Sequence, residues 1–269
     1  MKFHGQTALV TGASSGIGAV FAREFAARGA DLVLVARTKA ALQALAAELR
    51  AAHRVQVRVL PADLSVPGAA AGLATQVAEH GLSIDVLVNN AGFATYGALT
   101  DTDLERLLGQ VQLNCATLLE LTGRFLPAMV ARGAGTVVNV ASTAAFQPLP
   151  RMAVYGATKA FVLSFTEALW AENRATGVRV LALCPGATET PFFDAVGADE
   201  ASVGPRQSPE QVVAAAFGAL RRGRHTVVCG RRNALSTRLP GLLPRRTVVT
   251  MTERVLRPRS VPRVTTQAQ

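Results

Sequence analysis

Four histidines and three cysteines in 269 residues leave little material for metal or disulfide chemistry. Cys115, Cys184 and Cys229 stand singly in apolar stretches, without the paired spacing of a disulfide framework or a zinc site, and read as buried thiols of a reducing compartment. His4, His53, His80 and His225 lie far apart, and none shares a helix face with another ligand type, so no metal is expected. Long hydrophobic runs are missing too. No stretch approaches the ~20 apolar residues of a membrane span, and the opening MKFHGQTALVTG lacks the apolar core of a signal peptide, so a cytoplasmic location is expected. Charge is sparse at 17% while 49% of residues are hydrophobic, which excludes a disordered chain. Negative charge is almost absent from the end. Residues 221–269 carry 12 arginines against Glu253 alone, whereas residues 1–220 carry 16 basic against 17 acidic residues. The net charge of +10 therefore belongs to the tail, which reads either as a solvated extension or as a footprint for an anionic surface. Nucleic acid is not the expected partner; contact with a membrane surface through the tail stays open.

Present instead are short β-branched apolar runs alternating with helical patterns. TALVTG (7–12), DLVLVAR (31–37), VQVRVLPAD (55–63), DVLVNNAG (85–92), GTVVNVAS (135–142), VRVLALCPG (178–186) and HTVVCG (225–230) read as strands buried on both faces. Between them, segments such as AVFAREFAARG and LQALAAELRAA have helical apolar spacing. This alternation predicts a doubly wound, Rossmann-type α/β fold with about seven parallel strands and helices on both faces. One domain is expected over 1–230, with a substrate loop at about 187–210, where Gly, Pro, Ser and acidic residues break the pattern. Residues 231–269 form a basic, proline-containing extension whose last dozen residues are expected to be mobile.

Gly12, Gly16 and Gly18 fall where the first strand hands over to a helix. Glycine lets the backbone approach another group closely, and an amide-rich helix start attracts anions, so the turn spanning Gly12, Ser14, Ser15, Gly16, Ile17 and Gly18 suits a dinucleotide pyrophosphate. The spacing G-x-x-x-G-x-G departs from the common G-x-G-x-x-G fingerprint. After the second strand, where an NAD-preferring site would place an acid, the chain has Arg37, which suits a 2′-phosphate and favours NADP.

Ser142 follows the fifth strand, and the next helix presents Tyr155 and Lys159 at i, i+4, on one face. A cation beside a phenol lowers its pKa toward the working range of an acid–base group, and Ser142 can hydrogen-bond the same substrate oxygen. TGASSGIG (11–18), NNAG (89–92), Asn114, Ser142, Tyr155-x-x-x-Lys159 and PGATET (185–190) occur in this order, each at a strand end or helix start.

That constellation resembles the short-chain dehydrogenase/reductase family in its compact, NADP-preferring form, over roughly residues 5–230. The resemblance implies Tyr155 as general acid/base and Lys159 as ribose ligand and modulator of the tyrosine. Ser142 would position the substrate, and Asn114 would support a water-linked proton path. Asp63 and Leu64 would border the adenine, and Asn90, Ala91 and Gly92 would line the cofactor. Pro185, Gly186, Thr188 and Thr190 would seat the carboxamide. The expected activity is hydride transfer between NADP(H) and a carbonyl or secondary alcohol. Phe93, Tyr96, Phe146, Leu149, Phe192 and Phe193 are candidate apolar pocket residues. A β-ketoacyl substrate on an acidic carrier protein and a non-catalytic dinucleotide sensor are the alternatives. Family members commonly assemble as homodimers or homotetramers through the helices around Asn114 and Tyr155. Phe165 and Trp170 on the second of these are candidates for such an interface.

Overall fold

The computed structural model describes residues 1–198 and 204–257. The expected substrate loop is thus described except for 199–203, and the expected mobile end, 258–269, lies outside the described residues. Seven strands, β1 (Thr7–Thr11), β2 (Asp31–Ala36), β3 (Val57–Pro61), β4 (Val86–Asn89), β5 (Gly135–Val140), β6 (Val178–Cys184) and β7 (Thr226–Val228), each fall inside an expected run. All neighbouring pairs are parallel, in the order β3-β2-β1-β4-β5-β6-β7. The order reverses between β1 and β4, the switch point at whose strand ends a doubly wound sheet binds ligands.

Helices α1 (Gly16–Ala27), α2 (Lys39–His53) and α8 (Pro209–Arg221) cover one face. A phenylalanine cluster anchors that layer, with Phe25 5.1 Å from both Phe3 and Phe217, ring centre to ring centre. Helices α3 (Ala69–Glu79), α5 (Leu118–Ala131) and α6 (Ala153–Glu172) cover the other, α4 (Leu104–Val111) packs on α6, and a short α7 (Phe192–Val196) follows β6. Phe165 and the half-buried Trp170 pack within this layer, and Trp170 stacks on His225 with ring centres 4.1 Å apart.

The strands are not wholly apolar. Asn89 and Asn139 are register partners on β4 and β5, and Asn89 Nδ2 donates to Asn139 Oδ1 (2.9 Å) and to Thr122 Oγ1 (3.0 Å). Asn139 Nδ2 then donates to Thr166 Oγ1 (3.0 Å). Buried amides cost free energy unless hydrogen-bonded, and here the bonds tie both central strands to α5 and α6.

Past β7 come α9 (Arg231–Ser236), a 3₁₀ turn at Leu239–Leu242 and α10 (Arg245–Val255). Where sequence alone suggests an appendage beyond the domain, these residues fold back over the strand ends. Val248 and Leu256 are buried, the Tyr96 hydroxyl donates to the Leu256 carbonyl, and Thr252 Oγ1 donates to the Pro148 carbonyl at 3.0 Å.

Candidate active site

The β1–α1 turn is built for close approach. Gly12 and Gly16 have φ of +65° and +53°, a region side chains disfavour. A Cβ on Gly18 would lie 2.2 Å from the Gly12 carbonyl oxygen, so only glycine closes this turn. Thr11 fixes its far side: Thr11 Oγ1 accepts from the Asn90 and Ala91 amides (2.9 and 3.0 Å), and Asn90 Nδ2 donates back to the Thr11 carbonyl (2.9 Å). Helix α1 has no side-chain cap on its first amides and no acidic residue in its first turn. Those amides are donors available to an anion.

The turn opens into a cavity of about 1080 Å³ along the carboxyl ends of the strands. Ser14, Ser15 and Ile17 line it with Gly12 and Gly16, as do Arg37 after β2, Asp63 and Leu64 after β3, and Asn90, Ala91 and Gly92 after β4. Hydrogen bonds from the Ser65 hydroxyl and amide hold the Asp63 carboxyl below its usual range, with a smaller contribution from nearby Arg37. Pro185, Gly186, Thr188 and Thr190 line it too, and Thr190 packs on the glycine turn, where a Cβ on Gly16 would lie 2.8 Å from its Cγ2. Gly18 and Asn114 alone among the expected site residues sit behind the wall.

Ser142, Tyr155 and Lys159 meet on the cavity floor. Tyr155 is hydrogen-bonded to Ser142, yet burial dominates and pushes the phenol up to about 12. Burial also pulls Lys159 down to about 8. Its Nζ donates to the Val140 carbonyl at 2.7 Å and lies 5.9 Å from the centre of the tyrosine ring. The expected lowering of the tyrosine by its lysine is thus not what sets the phenol here: desolvation outweighs it.

Asn114 lies in a π-helical turn, Gln112–Thr117, between α4 and α5. Its Nδ2 donates to the Phe93 carbonyl (3.0 Å) and Thr158 Oγ1 (3.1 Å), and its Oδ1 accepts from the Phe93 amide (3.2 Å). A Cβ on Gly92 would lie 2.9 Å from that oxygen and 3.7 Å from Lys159 Nζ, which puts amide and ammonium side by side. Widened helical turns recur at functional sites because they free carbonyls and re-aim side chains. Cys115, next in line, is only half-buried, unlike Cys184 and Cys229.

Of the six candidate pocket residues, Phe93, Leu149, Phe192 and Phe193 line the cavity. Phe146 instead packs against Leu118, Val162 and Leu163, and Tyr96 props the C-terminal segment. The larger surprise is the roof. Val248, Met251, Thr252, Val255 and Leu256 all face the cavity, the i, i+3, i+4, i+7, i+8 stripe of one helix face. Asn233 also lines the cavity, so close to Gly186 that a Cβ there would lie 2.4 Å from its Nδ2. The stripe was readable in TVVTMTERVL; its target was not, because nothing local says which surface it covers.

A family model described as short chain dehydrogenase matches residues 6–201. The chain belongs to that family of oxidoreductases. It is 33% identical over 234 residues to the 7beta-hydroxysteroid dehydrogenase of Collinsella aerofaciens, covering 86% of this chain and 88% of that one. It superposes with a TM-score of 0.79 on a short-chain dehydrogenase from Sphingobium yanoikuyae in complex with NADPH (38% identity; 88% and 94% of the two chains). The bulky-bulky ketone specific alcohol dehydrogenase of Comamonas testosteroni gives 0.75 (34% identity; 88% and 93%).

Proposed function

We propose that this protein is an NADP(H)-dependent oxidoreductase that interconverts an apolar, bulky ketone or aldehyde and its alcohol. The observation that carries this reading is the meeting of Ser142, Tyr155 and Lys159 in a cavity that the glycine turn also lines. The amides at the start of α1 hold the pyrophosphate, Asp63 and Leu64 border the adenine, and Asn90, Ala91 and Gly92 flank the middle. Thr188 or Thr190 meets the carboxamide. When bound, the nicotinamide supplies the hydride.

Ser142 orients the substrate oxygen and Tyr155 gives it a proton in reduction. A phenol pushed up to about 12 stays protonated at neutral pH, which suits reduction. Lys159 holds the nicotinamide ribose, and Asn114, beside it, completes a water-linked route for the returning proton. Phe93, Leu149, Phe192 and Phe193, with the α10 stripe above, make the substrate wall apolar and large. The steroid and bulky-ketone relatives support that substrate class.

Arg37, in place of an acid, supports NADP over NAD. Parallel fluorescence titrations with NADPH and NADH test this, followed by turnover with a bulky apolar ketone. Arg37→Asp is expected to weaken NADPH binding about tenfold to a hundredfold, the worth of a charge-assisted phosphate contact. An unchanged preference would remove Arg37 from the phosphate site, and absence of turnover with any carbonyl would favour the sensor reading.

A further inference from the structure

The C-terminal cap, residues 231–257, has an outward, water-exposed side that the proposed reaction does not use. Leu239, Leu243, Met251 and Val255 line the cavity and yet are 40–57% exposed, so they form an apolar rim at its mouth. Outside the cavity, Leu235 and Leu242 are 65% and 79% exposed. Exposed around them on the same cap are Arg231, Arg232, Arg238, Arg245, Arg246 and Arg254. The cap's single acid, Glu253, already pairs with Arg257 at 3.0 Å. The remaining 220 residues before the tail are nearly neutral, so this charge is local and one-sided.

We infer that the cap docks on an anionic lipid surface, with the mouth of the cavity turned toward the lipid. Exposed leucines interleaved with arginines suit a headgroup boundary, where apolar side chains enter the acyl region and guanidinium groups meet lipid phosphates. A nucleic acid would satisfy the arginines but leave the leucines in water. The substrate class rests on the function proposed above: an apolar carbonyl compound partitions into lipid and reaches the mouth without crossing water. Docking itself does not depend on that reading.

The test is sedimentation of the full chain with vesicles of phosphatidylcholine, alone or mixed with phosphatidylglycerol, with NADPH titrated into the same preparation. Binding to the mixed vesicles, weak binding to the neutral ones and loss on raising salt are expected. Arg245→Gln with Arg246→Gln lowers binding about fivefold per arginine. Leu235→Ser with Leu242→Ser lowers it at least about tenfold, even at low salt. None of these four residues lines the cavity, so NADPH binding stays unchanged. No binding to mixed vesicles, or a serine pair that binds as well as the parent, would overturn the inference. So would preferential binding to duplex DNA or RNA insensitive to the serine pair, or burial of the cap between two copies of the chain, seen as self-association that the serine pair abolishes. Failure of NADPH to bind would sink the proposed reaction and leave the vesicle result standing.

Discussion

Two buried titratable groups, Tyr155 and Lys159, share the cavity floor, and each is shifted in the direction that disfavours its charge. Tyr155→Phe removes the hydroxyl proposed as proton donor but little volume. Turnover is expected to fall by roughly 10²–10⁴-fold with NADPH affinity nearly unchanged, as measured by steady-state kinetics beside a titration. Lys159 has a cost of its own. Its folded-state pKa falls to about 8 from 10.5, so below about pH 8 the buried ammonium destabilises the fold in full. Between those values the unfolded chain binds the extra proton, and the cost fades as pH rises. Lys159→Met should therefore abolish activity and yet raise the melting midpoint at pH 7 by about 2–6 °C, a gain that closes toward pH 10. Calorimetry across pH checks it; a variant less stable at neutral pH would mean that the bond to the Val140 carbonyl outweighs desolvation.

Among the elements, α10 shows how a local pattern acquires meaning from its position. Its apolar stripe needs a partner surface, and the surface it finds is the cavity along the strand ends, which it roofs. Val248→Ala with Leu256→Ala enlarges that roof. The expected result is a rise in KM of at least about tenfold for a bulky apolar ketone, with the cofactor constant changed by less than about twofold. Equal losses in both would show that the cap holds the whole cavity rather than its substrate end. The loop before α8 is anchored in a similar way. The Gln207 amide donates to the Ala187 carbonyl and the Gln207 carbonyl accepts from the Glu189 amide, each at 2.9 Å, which closes the loop at its base.

At the scale of the whole molecule, most of the exposed large apolar side chains among the described residues fall into two regions, Met1 and Val66 standing apart. One is the cap. The other, Leu104, Leu108, Val111, Leu119 and Phe161, follows α4, α5 and α6. Water-exposed leucines of this number on adjacent helices are the material of an association surface. We propose a homodimer or homotetramer through this face; light scattering should give twice or four times the 28.1 kDa chain, and Leu108→Glu with Phe161→Glu should return it to monomer. A mass equal to one chain at micromolar concentration would rule the surface out.

The strands, the glycine turn and the Tyr155–Lys159 pair were legible without coordinates, because each is a local pattern with a short-range cause: burial on both faces, positive φ, a shared helix face. So was the placing of Ser142 and Arg37 at strand ends, which follows from alternation of strand and helix. What local patterns could not carry was desolvation and reach across the chain. Burial lifts the Tyr155 phenol despite its bond to Ser142, a π-turn brings Asn114 beside Lys159, and α10 covers a cavity lined by residues as early in the sequence as Gly12. Periodicity within the chain decided which elements form, whereas the dielectric of the site and the identity of its roof were decided only when distant segments packed together and expelled water.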